Sequence, residues 1–114
     1  MTKKLMVAGV FYIIWAAPVF ADKDVVFSNC LLKVKGVTYI KGSCAGSLGS
    51  EGSFQIRNKL YNADIDPAAA EQANTALGSW DAQVDETNVH DDLGELTREG
   101  ACWKNTRATV CAWK

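Results

Sequence analysis

The chain has 114 residues, with 12 Lys+Arg against 13 Asp+Glu, four cysteines and four tryptophans. That length holds one small domain, and a domain so small leans on crosslinks as well as on core burial. Its acids crowd into one half of the chain, which repels phosphate backbones and excludes nucleic acid as a partner.

The chain opens Met1-Thr2-Lys3-Lys4, and Leu5 to Ala17 is almost wholly apolar, followed by Pro18 and Val19-Phe20-Ala21. A positive start, a short apolar run and small residues before the cut predict a secretory signal peptide over residues 1–21. The apolar run falls short of the ~20 residues of a membrane span, so contact with a membrane is confined to export. A lysine-rich leader of this kind places the mature chain, residues 22–114, in the bacterial periplasm as a single domain. Loss of Lys3 and Lys4 leaves 10 Lys+Arg against 13 Asp+Glu, a net charge of −3.

An even number of cysteines in an exported chain predicts two disulfides. Three pairings are open to four cysteines. Cys30–Cys44 and Cys102–Cys111 are favoured, because each pair flanks a predicted turn. The spacing contains no C-x₂-C pair, which argues against a zinc site.

Val25 to Val34 alternates loosely, with Cys30, Leu32 and Val34 on one face and Leu31 and Lys33 on the other. Gly36 breaks the run, and Val37-Thr38-Tyr39-Ile40 reads as a return strand. This predicts a hairpin at Lys35-Gly36-Val37, stapled at its open end by Cys30 and Cys44. Ala45 to Gly52 is rich in Ser and Gly and reads as a loop. Ser53 to Tyr61 alternates again and predicts a third strand. Asp66-Pro67 is a helix-start signal, and the Ala-rich stretch that follows predicts a short helix to Leu77, or an ordered loop, stopped by Gly78. Ser79 to Val84 reads as a strand with Trp80 and Ala82 inward. Asp85 to Asp92 reads as a polar loop, and Leu93 to Arg98 as a short strand.

Gly100 to Lys114 closes the chain. If Thr106-Arg107 tops a two-residue turn, Cys102 falls opposite Cys111, at a separation a disulfide accepts. The expected fold is mainly β, with α+β as the alternative: a small antiparallel sheet, curled or folded as a sandwich, with one short helix and two disulfides.

Ten acidic residues and one basic residue, Arg98, lie between Asp64 and Glu99. A run of this kind is either a solvated face or a surface for a basic partner. His90, beside Asp91 and Asp92, is the only histidine. It has no nucleophile in a recognisable setting, and the oxidised cysteines offer no thiolate, so no enzyme is expected. The three side chains suit a transition metal by type but fall short of a full ligand set, so neither a metal nor a cofactor is expected. Trp80, Trp103 and Trp113 read as core, since a small sheet needs large side chains to bury area. What remains is a binding module presenting Ser47 to Glu51 or Asn88 to Asp92 on a rigid scaffold. The expected contacts are His90, Asp91, Asp92 and Glu95, with Trp80 as an anchor.

The leader, the four cysteines and the closing G-A-C-W…C-A-W resemble small periplasmic proteins that guard bacteria against secreted cell-wall enzymes. Leu93 to Trp103, LGELTREGACW, looks most like immunity-type proteins found beside L,D-transpeptidase-like effectors of type VI secretion. Periplasmic lysozyme inhibitors are a more distant likeness. The resemblance implies a protein that binds and occludes a peptidoglycan-targeting toxin enzyme. A host lysozyme as the target, or a purely structural envelope or adhesion role, are the alternatives.

Overall fold

The computed structural model describes residues 23–84 and 87–114, and of these residues 83, 84 and 87–90 by the course of the backbone alone. The leader expected over residues 1–21 lies outside the described residues. Eight strands follow in order: β1 (Lys23–Val34), β2 (Val37–Leu48), β3 (Phe54–Arg57), β4 (Tyr61–Asp66), β5 (Thr75–Val84), β6 (Thr87–Glu99), β7 (Cys102–Lys104) and β8 (Ala108–Trp113). Each is antiparallel to the next, and β8 returns to β1 to close an up-and-down barrel. The expected sheet or sandwich is therefore corrected to a barrel. The closing ladder runs from Asn29↔Trp113 to Val34↔Ala108, and closure removes the two edges an open sheet would expose.

The first hairpin turns on Lys35 and Gly36, both at positive φ (51° and 83°). Two such residues in a two-residue loop match the right-handed twist of the flanking strands. The loose alternation of β1 has a physical cause. Pairing passes from Phe27↔Cys44 to Cys30↔Gly42, so β1 carries one extra residue in a bulge. Phe27 and Cys30 thus both face the core although they stand three apart. Cys30 and Cys44 are joined, with Cα atoms 6.1 Å apart. The strands continue past this staple to Lys23↔Leu48, so it sits within the hairpin and not at its open end.

The other clip forms as the spacing predicts. Cys102 is directly opposite Cys111, disulfide-bonded, with Cα atoms 4.0 Å apart. Asn105 N donates to the Ala108 carbonyl (3.0 Å), leaving Thr106-Arg107 as the turn. Two formed disulfides belong to a protein outside the cytoplasm. No helix among the described residues is long and apolar enough to cross a membrane.

Three expectations on the middle of the chain are corrected. The helix after Asp66 is one 3-10 turn, Pro67–Ala69. Asp66 does cap it, accepting from Ala68 N (3.1 Å), but an alanine face has too little area to hold a longer helix in place. Thr75 to Leu77 instead opens β5, where Ala76, Gly78, Trp80 and Ala82 take the inward positions. The expected loop over Ala45 to Gly52 is strand as far as Leu48. A Cβ on Gly46 would lie 2.1 Å from the Gln55 carbonyl oxygen and 2.6 Å from the Phe27 ring, so the glycine lets β2 and β3 meet over that ring. The expected polar loop from Asp85 to Asp92 runs in β6 from Thr87 onward, its first two residues lying outside the described residues.

Leu32, Ile40, Ile56, Ile65, Leu93, Leu96 and Val110 fill the interior. An eight-stranded barrel is just wide enough for side chains of this size to meet. Aromatic side chains pack toward both ends. Tyr39, Tyr61 and Trp80 pack at the end where the β1–β2 and β3–β4 turns lie, with Tyr39 and Trp80 ring centroids 4.6 Å apart. Phe27, Phe54 and Trp103 line the opposite mouth, where the β2–β3, β4–β5 and β6–β7 connections lie beside Lys114.

Candidate functional site

The acidic residues of the second half are gathered by register onto the outside of β4, β5 and β6. Three cross-strand rows form there: Asn62–Asp81–His90, Asp64–Ser79–Asp92 and Asp66–Leu77–Glu95. Residues directly opposite share a face of a sheet, so the described side chains of these rows lie together on the outer surface. None of the three rows contains Lys or Arg. Asp64 and Asp92 stand two strands apart with Ser79 between them, and Asp66 and Glu95 likewise flank Leu77. That spacing is about 10 Å, near the screening length of physiological salt, so the carboxylates coexist without direct repulsion.

Local features fix this face. β6 is bulged between its pairs with Ser79 and Gly78: Leu93 is the extra residue, and Gly94 adopts φ +84°. The bulge turns Leu93 into the core and keeps Asp92 and Glu95 exposed. β7 is only three residues long, so backbone pairing between β6 and β7 stops at Thr97. Beyond it, side chains of the terminal turn fill the seam. Asn105 Nδ2 donates to the carbonyls of Leu93 (2.8 Å) and Glu95 (3.1 Å), and Arg107 Nη2 donates to that of Asp92 (2.7 Å). The disulfide-clipped hairpin therefore braces the acidic strand from one side.

The expected contacts fall as follows. His90 lies opposite Asp81 in the backbone ladder, and its side chain lies outside the described residues. Asp92 and Glu95 are exposed on the outer rows. Asp91 is exposed but belongs to the other face of β6, opposite Trp80, because successive strand residues alternate. Trp80 is only 7% exposed and sits in the aromatic cluster with Tyr39 and Tyr61, a core position and not a surface one. Its indole Nε1 is buried without a hydrogen-bond partner among the described residues. Sequence reasoning missed Leu77, which is 43% exposed in the middle of the acidic rows. Its signal is the period-two row Ala76, Gly78 and Trp80, which leaves Leu77 on the opposite face. It also missed Asp64, Asp66 and Asp81 as neighbours of Asp92, since only register brings them together.

Among the described residues no group of three His, Cys, Asp or Glu side chains is placed to hold a metal ion. The face can therefore offer carboxylates around one apolar side chain, an arrangement suited to Lys- or Arg-bearing protein surfaces. Comparison with family models, curated proteins and solved structures gives no match.

Proposed function

We propose that this is a periplasmic immunity protein that binds and occludes a secreted peptidoglycan-targeting toxin enzyme, without catalysis of its own. The cleavable leader read from residues 1–21 supports the compartment. The observation that carries the reading is the acidic outer face of β4–β6 with Leu77 at its centre. A basic enzyme surface would meet Asp66, Asp92 and Glu95 on strands held by ladders and braces, so little order has to be gained on binding. Opposite charge speeds encounter, and the buried apolar centre slows release.

The experiment compares cells challenged with a periplasmic toxin while expressing the protein with or without residues 1–21. Protection that requires the leader is expected, and equal survival would count against the proposal. In the purified complex, Asp92→Lys with Glu95→Lys is expected to slow association by about tenfold or more at low salt, with the difference fading at high ionic strength. Leu77→Ser is expected to speed dissociation. A panel of purified lysozymes is the discriminating arm, because potent inhibition of one of them moves the target from a bacterial toxin to a host enzyme.

A further inference from the structure

The mouth of the barrel on the Lys114 side holds a half-open cleft of about 550 Å³. Its apolar walls are Phe27, Leu48, Phe54 and Trp103, with Phe27 and Trp103 buried at its base. Arg98 stands over them. It is the one basic residue between Asp64 and Glu99, and β6 places it opposite Trp103, at an inward register position. Its side chain is nonetheless exposed at the rim, where the guanidinium is held on one side only. The guanidinium carbon sits 5.8 Å from the Trp103 ring centroid, and Nε donates to the Gly100 carbonyl (3.2 Å). Among the described residues its two Nη groups meet no acceptor. Lys114 is a second cationic residue of the lining, and Glu51 is its acidic one among the described residues.

We propose that this mouth is a binding site for a small amphipathic organic anion. Its apolar part lies on Phe27, Phe54 and Trp103, and its carboxylate or sulfonate is taken by the Arg98 fork. Three features converge on that class. The volume falls in the range of small-molecule sites, and barrel mouths are a common place for them. The walls offer the faces of Phe27, Phe54 and Trp103 beside Gln72, Asn74 and Thr75, and among the described residues the lining holds no histidine or cysteine, which suits an acyl chain or a ring better than a metal. The free edge of a planar guanidinium matches a two-oxygen anion and repels an amine. The site is at the mouth and not on the acidic face, so it stands or falls independently of the toxin-binding proposal.

The test uses purified protein with both disulfides formed, titrated by calorimetry with dodecanoate, dodecanol and dodecylamine, with the binding locus mapped by amide and indole chemical shifts. Dodecanoate is expected to bind at least tenfold tighter than the alcohol or the amine, with the largest shifts at Phe54, Arg98 and the Trp103 indole. Arg98→Gln is expected to bring dodecanoate down to the affinity of dodecanol while leaving dodecanol unchanged. Glu51→Gln is expected to strengthen dodecanoate binding severalfold, and it guards against reading a misfolded Arg98 variant as a lost site. Equal affinity for acid and alcohol, an unchanged Arg98→Gln, shifts confined to another face, or no binding of dodecanoate would overturn the proposal.

Discussion

The two disulfides allow a prediction with a worked size. Cys30–Cys44 and Cys102–Cys111 join residues 14 and 9 apart in sequence. In the chain-entropy treatment, closing loops of that length restrains the unfolded chain by ~3.0 and ~2.7 kcal/mol. Both links lie inside hairpins whose strands are already paired in the native state, so native geometry gives little of this back. A domain near this size shifts its melting temperature by roughly 4–8 °C per kcal/mol. Each paired variant, Cys30→Ala with Cys44→Ala or Cys102→Ala with Cys111→Ala, should therefore melt roughly 10–25 °C below the parent in scanning calorimetry. The urea m-value should rise in both, because the uncrosslinked chain exposes more surface when unfolded. A variant that melts within ~3 °C of the parent would refute the argument for that crosslink, given the size of the entropy involved.

Three further substitutions probe the barrel. Gly46→Ala should cost ~3 kcal/mol or more in urea unfolding, since its methyl would meet the Gln55 carbonyl at 2.1 Å and backbone has nowhere to go. Gly78→Ala, which meets the end methyl of Leu96 at 2.6 Å, should cost only ~1 kcal/mol in the same assay, because a side-chain tip can rotate away. Asn105→Ala removes two donors to β6 and an acceptor that serves both Arg107 N and Ala108 N, so ~2–3 kcal/mol is expected, together with faster amide exchange at Arg107 and Ala108.

The sequence announced its hairpins better than its closure. Lys35-Gly36 and Thr106-Arg107 are turns because local chemistry demands it, and both cysteine pairs follow from those turns. Asp66-Pro67 is the cap its sequence predicts, and of the two continuations open to the alanines the structure takes the loop, after one 3-10 turn, and not the longer helix. Alanines have helix propensity but little to bury, and the inward row Ala76, Gly78, Trp80, Ala82 gives β5 a place in the core instead. The polar stretch up to Asp92 hid a strand, because an outer barrel row can be polar throughout. Alternation reports which face a residue takes and is silent on whether the first strand meets the last. The acidic face is a product of that same register. It joins Asp64 to Asp92 across 28 positions of chain, which no local pattern records.

The β1–β8 ladder has a consequence for how the molecule comes into being. Asn29 waits for Trp113, so the ring stays incomplete until β8 has been synthesised. Such late, distant pairing makes folding slow compared with the closing of either clip. A chain in that interval is still threadable, and it can be delivered through a narrow passage before oxidation and ring closure make it rigid. Shortening the chain before Ala108 would leave β1 and β7 with bare edges, and the expected product is an aggregate in place of a smaller barrel.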